Sequence, residues 1–229
     1  SGESYEVAVF NAEDNKLVEV GKFTNHGITE LEYHVGLSIP GAAGDRFYFK
    51  FFNGTDEYVS LTEIGYAAQQ GSHLNLFTIE FKSVAQIGNV VYPSLQEAID
   101  ASTPETGFGG EVTLLKDVTL EGGYADASEG LRIEKSVTIN GAGYTIDCGI
   151  FTKGIRIYQN GDKASNVMFK NINIVTNNYQ GRCIDTRSAK INLQLNGGVN
   201  LTAHGTNSQP LTIGGSEAMT KVTISGGTI

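Results

Sequence analysis

A short phrase recurs along the second half of the sequence, and it restricts the fold more than any other feature. Each copy consists of an apolar alternation, an Asn or Ser, and a second alternation. The four copies are VTINGAGYTI (137–146), VMFKNINIV (167–175), INLQLNGGVNLTA (191–203) and VTISGGTI (222–229). Their turn residues are 31, 25 and 29 positions apart, at Asn140, Asn171, Asn196 and Ser225. A third short strand lies between copies, in GIRIY (154–158), CIDT (183–186) and LTIGG (211–215).

Three strands in each repeat of 25 to 31 residues predict a three-sided parallel β-helix, in which each coil stacks on the next and no coil is stable alone. The asparagines agree with this interpretation, because Asn tolerates left-handed backbone and stacked Asn side chains can hydrogen-bond along a ladder. An antiparallel sandwich with strands of similar length stays open as an alternative, since the repeat lengths are irregular.

One helix is predicted ahead of the repeats, in YPSLQEAIDAS (92–102). Ser94 and Glu97 have the spacing of a capping box, and Pro93 ends any preceding strand. The apolar residues Leu95, Ala98 and Ile99 share one helical face. The first coil of a β-helix exposes an open sheet edge and an apolar core end. The predicted role of this helix is therefore an N-terminal cap.

Charge and aromatic content divide the chain near residue 84. Residues 1–84 contain 12 acidic and 5 basic side chains, a net charge of −7, and 13 of the 21 Phe and Tyr residues. Residues 85–229 have a net charge of only −2. We therefore predict two domains, 1–84 and 85–229. The second ends within a repeat, at KVTISGGTI, so we expect it to continue beyond residue 229.

Alternating strands fill the first domain, which predicts an antiparallel β-sandwich of immunoglobulin-like size. Its candidate strands are YEVAVFN (5–11), KLVEVGKF (16–23), TELEYHVGL (29–37), DRFYFKFFNGTDEYVSL (45–61) and LNLFTIEF (74–81). The Asn53–Gly54 pair predicts a hairpin turn. Phe47, Phe49 and Phe51 alternate onto one face, which we expect to be core.

A second row of aromatic residues raises a functional hypothesis. Tyr48, Phe52, Tyr58 and Tyr66, if exposed, would form a platform on which sugar rings stack, with nearby carboxylates bonding to hydroxyls. The alternative is burial against the second domain or another sheet, which Phe-rich faces favour.

Composition excludes some classes of partner. The net charge of −9 argues against nucleic-acid binding, which depends on Lys and Arg neutralising phosphates. The sequence contains no run of about 18 apolar residues, so it predicts no membrane span. The two cysteines, Cys148 and Cys183, are read as buried free thiols, while a disulfide requires their Cα atoms to lie within about 7 Å.

The segments YPSLQEAIDAS, GGEVTLLKDVTL and LRIEKSVTINGAGYTID resemble the first coils of right-handed parallel β-helix proteins of the pectate lyase-like superfamily. The resemblance covers about residues 86–229 and is closest to non-enzymatic modules of large surface proteins of Gram-positive bacteria. It implies an all-β fold, but this superfamily includes lyases, hydrolases, esterases and adhesins, so function must come from the site.

The superfamily's enzymes act on acidic polysaccharides with clustered Asp, Arg or Lys, and the match here is weak. Asp185 and Arg187 alternate onto one side of a strand, with Asp147 expected nearby, and these are the only catalytic candidates. The alternative is an exposed ion pair, worth at most about 1 kcal/mol. His204 is interpreted as a polar loop residue.

Other sites are not predicted. The sequence lacks a P-loop, an HExxH motif and zinc-ligand spacing. We predict no cofactor; acidic turn residues such as Asp56 and Glu57 would permit Ca²⁺, without further support.

These observations favour a non-catalytic fragment of a secreted or cell-surface bacterial protein. Its expected role is adhesion, with a polysaccharide or a host surface glycoprotein as partner, or plain spacing. The alternative is a polysaccharide lyase or glycoside hydrolase whose active site is incomplete or unrecognised.

Overall fold

A computed structural model describes most of the chain. The described residues are 6–22, 24–25, 33–34, 37, 39–42, 44–60, 64–65, 82–103, 107–159, 161, 163–186, 190–214 and 221–229. The chain divides into two compact units. The first contains Ser1–Ser83 and Gly88–Ser94, and the second contains Val84–Ile87 and Leu95–Ile229.

Short strands make up almost all of the regular structure. The first seven are β1 (Glu6–Asn11), β2 (Leu17–Lys22), β3 (Thr24–Asn25), β4 (Tyr33–His34), β5 (Arg46–Phe52), β6 (Glu57–Val59) and β7 (Ile64–Gly65). They are followed by β8 (Ala85–Ile87), β9 (Val90–Tyr92) and the helix α1 (Leu95–Ala101).

The strands after α1 succeed one another in groups of three. They are β10 (Glu111–Leu114), β11 (Val118–Thr119), β12 (Glu129–Ile133), β13 (Val137–Asn140), β14 (Thr145–Asp147), β15 (Lys153–Ile157), β16 (Ser165–Lys170), β17 (Ile172–Thr176), β18 (Arg182–Asp185), β19 (Ile191–Leu195), β20 (Val199–Ala203), β21 (Gln209–Thr212), β22 (Lys221–Ile224) and β23 (Gly227–Thr228).

In the second unit these strands form a parallel β-helix of about four turns. Its three sheets have the orders β10-β13-β16-β19-β22, β11-β14-β17-β20-β23 and β12-β15-β18-β21. Every one of these neighbouring pairs is parallel. The predicted parallel β-helix is therefore confirmed, and the antiparallel alternative for the repeats is wrong.

The core of the β-helix consists of apolar columns, one member from each coil. The paired register aligns Val112, Ile139, Phe169 and Leu195 in the first sheet and Leu131, Ile155 and Ile184 in the third. All seven side chains are buried. Because adjacent coils contribute the same kind of side chain at the same position, the sequence repeat becomes a continuous core.

Helix α1 lies against the first coil. Its residues Leu95, Ala98 and Ile99 are buried, as their helical spacing predicts, and α1 contacts β8, β10 and β12. Lys135 Nζ donates to the carbonyl oxygens of Asp100 (2.5 Å) and Ser102 (3.2 Å). A lysine at this position suits the partial negative charge of a helix C-terminus.

In the first unit the described strands form one sheet of order β2-β1-β5-β6-β9, with β7 also beside β5, and a small β3–β4 ladder. The predicted hairpin is present, because β5 and β6 pair antiparallel and Asn53 Oδ1 accepts from the amides of Thr55 (2.9 Å) and Asp56 (2.7 Å). Residues 74–81 and most of 29–37 lie outside the described residues, and the sandwich stays a prediction.

One side of this sheet is the core of the first unit. Val7, Val9, Phe47 and Phe49 are buried there, and Phe51 packs against them. This agrees with the alternation that predicted Phe47, Phe49 and Phe51 as core.

Candidate functional site

The opposite side of the same sheet presents aromatic and charged side chains. Tyr48, Lys50 and Phe52 alternate with the core residues of β5, so they point away from the core. Phe10 pairs with Tyr48 and Glu57 pairs with Phe52 in the antiparallel register, which brings both to this side. We call the surface formed by Phe10, Tyr48, Lys50, Phe52 and Glu57 the aromatic face.

The rings and charges of the aromatic face contact one another closely. The rings of Phe10 and Tyr48 are stacked, with centroids 5.2 Å apart and planes at 14°. Lys50 Nζ lies 5.1 Å from the centroid of the Phe10 ring and 2.8 Å from Glu57 Oε1. Phe52 is 37% exposed. The face thus combines a stacked ring pair, an exposed ring and a half-exposed ion pair.

Tyr92 borders the aromatic face. Val90 pairs with Glu57, so Tyr92, two residues further along β9, lies on the same side of the sheet. Burial raises the pKa of Tyr92 and the pKa of Tyr48 above the ordinary value of 10.0, although the positive charge of Lys50 acts in the opposite direction. Both phenols therefore keep their protons at neutral pH and can donate hydrogen bonds.

Tyr58 does not belong to this surface. It pairs with Phe51, the two ring centroids lie 6.1 Å apart, and both are on the core side. The prediction that Tyr58 lies beside Tyr48 and Phe52 is wrong. Its strand partner Phe51 faces the core, so Tyr58 faces the core as well. Tyr66, the fourth predicted binding residue, lies outside the described residues.

The acidic turn residues do not converge on a metal site. Glu57 is engaged by Lys50, and the Asp56 amide donates to Asn53 Oδ1. Within the described ranges, no three His, Cys, Asp or Glu side chains are grouped so that they could hold a metal ion.

The weak catalytic candidates lie on the β-helix. The Asp185 side chain is 0% exposed and is paired with Arg156 Nη1 of the preceding coil, while Arg182 Nη1 lies 3.8 Å from its second oxygen. The expectation of an exposed ion pair is therefore wrong for Asp185. The side chain is buried and engages an arginine from the neighbouring coil. Arg187 lies outside the described residues.

The structure does not bring Asp147 to Asp185. Asp147 belongs to β14 of the second sheet, where it pairs with Val175, and its Oδ1 accepts from the Gly149 amide at 2.9 Å. Asp185 belongs to the third sheet. His204 is exposed in the turn after β20, as expected for a loop residue.

Sequence reasoning missed a second buried carboxylate on the third sheet. Glu129 is 1% exposed and accepts hydrogen bonds from Arg132 Nε (3.1 Å), Arg132 Nη2 (3.0 Å) and the Tyr158 hydroxyl (2.5 Å). The Arg132 guanidinium carbon lies 4.8 Å from the Tyr158 ring centroid and 5.2 Å from that of Tyr124. Charge pairing and cation–π contacts thus link Glu129 and Arg132 of β12 to Tyr158, which follows β15.

The arrangement on the third sheet is suited to cohesion between coils. Glycoside hydrolysis requires two carboxyl groups facing a groove at a defined separation. Glu129 and Asp185 are instead buried, and each is engaged by an arginine.

Comparison with known proteins identifies the family. The family model described as "Putative pectate lyase-like adhesive domain" matches residues 94–213. The chain belongs to this family. The matched residues run from the start of α1 to just past β21, so they cover α1 and the β-helix strands from β10 to β21. The resemblance seen in the sequence is confirmed. We found no curated protein and no solved structure that matches the chain.

In the part of the chain that the structure describes, no helix has the length and hydropathy that crossing a membrane requires.

Proposed function

We propose that this pectate lyase-like adhesive domain protein is a non-catalytic adhesion module that binds glycans through the aromatic face. The observation that supports this most is the side-by-side placement of the Phe10–Tyr48 ring stack, the exposed Phe52 ring and the Lys50–Glu57 ion pair. The apolar C–H face of a pyranose packs on aromatic rings, and its hydroxyls require polar groups close by.

The polar groups at the aromatic face suit hydroxyl ligands. A lysine ammonium has three donors, and the bond to Glu57 uses one of them. Glu57 supplies acceptor sites, and the protonated phenols of Tyr48 and Tyr92 both donate and accept. A sugar hydroxyl, which is itself donor and acceptor, can bond to all of these groups.

The family's adhesive description supports placing the protein outside the cell or on its surface. The partners we propose are a polysaccharide or the glycans of a host surface glycoprotein. The β-helix then serves as the rigid part that presents the first domain.

We further propose that the chain forms two domains that divide near residue 84, with Gly88–Ser94 added to the first. We also propose that the first domain is a β-sandwich and that α1 caps the core of the β-helix. The contacts of α1 with β8, β10 and β12 support the last of these.

Glycan-array binding of the full chain tests the proposed function. We expect the native chain to bind a subset of glycans and the Tyr48→Ala/Phe52→Ala variant to lose that signal, because the stacking surface is gone. Tyr179→Ala is the matched control, since Tyr179 is a tyrosine of the second unit that is 58% exposed. Circular dichroism and thermal unfolding establish that each variant is folded.

Three outcomes contradict the proposal: a native chain that binds no glycan, a folded double variant that binds as the native chain does, or a loss of binding in Tyr179→Ala as large as in the double variant. The last result would move recognition to the β-helix.

A further inference from the structure

We propose that the aromatic face selects uncharged glycans over acidic ones that contain uronic or sialic acid. This inference rests on the glycan-binding function proposed above. The proposed ligands differ from the acidic polysaccharides on which the superfamily's enzymes act. The argument for them is the pairing of the charges at the aromatic face.

Each lysine on this side of the sheet has a carboxylate partner. Lys50 Nζ lies 2.8 Å from Glu57 Oε1, and Lys22 Nζ lies 3.0 Å from Glu6 Oε1. Glu6 pairs with Phe52 and with Lys22 in the strand register, so the second ion pair adjoins the exposed Phe52 ring. The two pairs together have no net charge.

Arg46 is the other cation on this side of β5, two residues before Tyr48. It is also engaged in an interaction, so it is not a free cation. Recognition of a carboxylate normally uses arginine or lysine with available donors facing the ligand. On the aromatic face and beside Phe52, the ammonium groups of Lys50 and Lys22 instead contact carboxylates of the protein.

Binding an acidic sugar at Lys50 would leave Glu57 beside a second negative charge. The ligand carboxylate would have to compete with Glu57 for the ammonium, and the two carboxylates would repel each other within a few ångströms. A neutral sugar avoids this cost, because its hydroxyls use the remaining Lys50 donors while the ion pair stays intact. Local geometry therefore favours the uncharged ligand.

The charge of the whole first domain acts in the same direction. Residues 1–84 contain 12 acidic and 5 basic side chains. A surplus of negative charge repels polyanions during approach, over a distance of about 8 Å at physiological ionic strength. Long-range and local electrostatics thus both disfavour acidic polymers.

The test uses two forms of one polymer backbone. Isothermal titration calorimetry with the full chain compares oligogalacturonates in which every carboxyl is methyl-esterified with the same oligomers after de-esterification, and a second comparison uses lactose and sialyllactose. We expect the uncharged member of each pair to bind at least about tenfold more tightly, a difference of about 1.4 kcal/mol in binding free energy, because the acidic member must compete with Glu57 for Lys50 and is repelled by Glu57.

The Glu57→Gln variant separates the local cause from the long-range one. Removing this carboxylate frees the Lys50 ammonium, and we expect the preference for the uncharged member to shrink several-fold. Glu13→Gln is the control, because Glu13 is an exposed carboxylate in a turn of the same unit and its substitution changes the net charge equally. We expect its preference to stay within twofold of the native value.

The results distinguish this inference from the function on which it rests. Tighter binding of the acidic members by the native chain would overturn the inference and leave glycan binding intact. An equal effect of Glu57→Gln and Glu13→Gln would also overturn it, since the ion pair would then have no special role. Failure of the native chain to bind any glycan on the array would instead overturn the proposed function.

Discussion

The side chain of Gln96 in α1 pairs with the backbone of Arg132 as a neighbouring strand would. Gln96 Nε2 donates to the Arg132 carbonyl oxygen at 2.9 Å, and Gln96 Oε1 accepts from the Arg132 amide at 3.0 Å. Arg132 lies in β12, the edge strand of the third sheet. An edge strand presents unpaired backbone groups, and a side-chain amide has the same donor and acceptor as a peptide unit.

Replacing Gln96 with alanine should therefore weaken the first coil. Both backbone groups of Arg132 would lose their partners, and we expect the free energy of unfolding of the second unit to fall by about 1 to 3 kcal/mol. Urea unfolding measures this loss, and hydrogen exchange should show reduced protection at the Arg132 amide.

Gln96→Glu is the informative companion variant. It keeps the oxygen that accepts from the Arg132 amide and removes the N–H that donates to the Arg132 carbonyl. Its second carboxylate oxygen would also face the Asp100 carboxylate, to which Gln96 Nε2 donates at 2.9 Å. Because these like charges repel, we expect a loss at least as large as in Gln96→Ala. Unchanged stability and exchange in the alanine variant would show that water replaces the Gln96 contacts without cost.

A glycine makes room for a buried thiol between two coils, which leads to a second prediction. A Cβ at position 154 would lie 2.2 Å from Cys148 Sγ and 2.8 Å from the Arg182 carbonyl oxygen. Gly154→Ala should lower the free energy of unfolding by about 1 to 3 kcal/mol through overpacking. Thermal and urea unfolding of the variant measure the effect.

Gly197→Ala is the matched control for this prediction, because a Cβ there meets no atom within 4 Å. Its stability should stay within about 0.5 kcal/mol of the native chain. The steric account would be contradicted by equal effects at positions 154 and 197.

The sequence predicts the β-helix well because each coil must present an apolar residue at equivalent positions. The repeat of apolar residues is therefore visible in the sequence even where the coils differ in length. The exact register is less accessible: the spacing of turn residues aligns Asn140 with Asn171, whereas the structure pairs Asn140 with Lys170. Asn171 is the residue after β16, with a φ of +48°. Asn is common both at strand ends and in left-handed turns, so residue type alone did not separate the two positions.

The candidate sites show the same contrast. Alternation along β5 correctly separates Phe47 and Phe49 from the opposite side, but the placement of Tyr58 depends on the hairpin register, which the sequence left open. In the third sheet, aligning GIRIY with CIDT sets Arg156 opposite Asp185, as the structure does. The pairing of Arg156 with Asp185 could therefore be predicted by aligning the two repeats. The burial of Asp185 could not, because it depends on side-chain packing.

The Arg156–Asp185 pair provides a third prediction, because its two side chains are 12% and 0% exposed. Asp185→Asn leaves the arginine charge largely buried beside a neutral partner, and we expect a loss of about 3 kcal/mol in the free energy of unfolding. The double variant Arg156→Met/Asp185→Leu removes both charges and should recover most of that stability. Urea unfolding checks both values.

The same variants test the enzymatic alternative. Incubation with polygalacturonate should release no unsaturated or reducing products from the native chain or from a folded variant. Product release by the native chain that disappears in Asp185→Asn would restore a catalytic role for this residue.

A fourth prediction concerns acid stability and the first sheet, where Glu111 bonds to Lys170 Nζ (2.7 Å) and Asn140 Nδ2 (2.9 Å). The hydrogen bond from Lys170 is the main cause that lowers the pKa of Glu111 below 4.5. A folded-state pKa below the unfolded value of 4.5 stabilises the fold at pH values above 4.5. This contribution is lost as the pH falls through the folded-state pKa.

Lys170→Met should therefore raise the pKa of Glu111 and remove the contribution of Glu111 to the loss of stability in acid. We expect the free energy of unfolding to change by less than about 1 kcal/mol, because the pair is partly exposed. Carbon-13 NMR titration of the Glu111 carboxyl measures the pKa. Lys116→Met removes an equal charge from an exposed position and should leave the Glu111 titration unchanged. A similar shift in both variants would indicate a general charge effect.

The two cysteines give the last prediction, since both thiols are free and buried in the core of the β-helix. The pKa of Cys148 is raised, mainly by hydrogen bonding with the Cys183 side chain and also by burial. The Cys183 thiol lies within hydrogen-bond distance of the carbonyl oxygens of Ile174 (3.4 Å) and Thr202 (3.3 Å). The thiolate is the reactive form. We therefore expect no reaction of the native chain with Ellman's reagent at pH 8 or 9, and two equivalents of reactive thiol after unfolding in guanidinium chloride.

Rapid labelling of the native chain would contradict the burial of these thiols. A mass about 2 Da lower than that of the reduced chain, with no reactive thiol after unfolding, would show that the two sulfurs are joined in a disulfide.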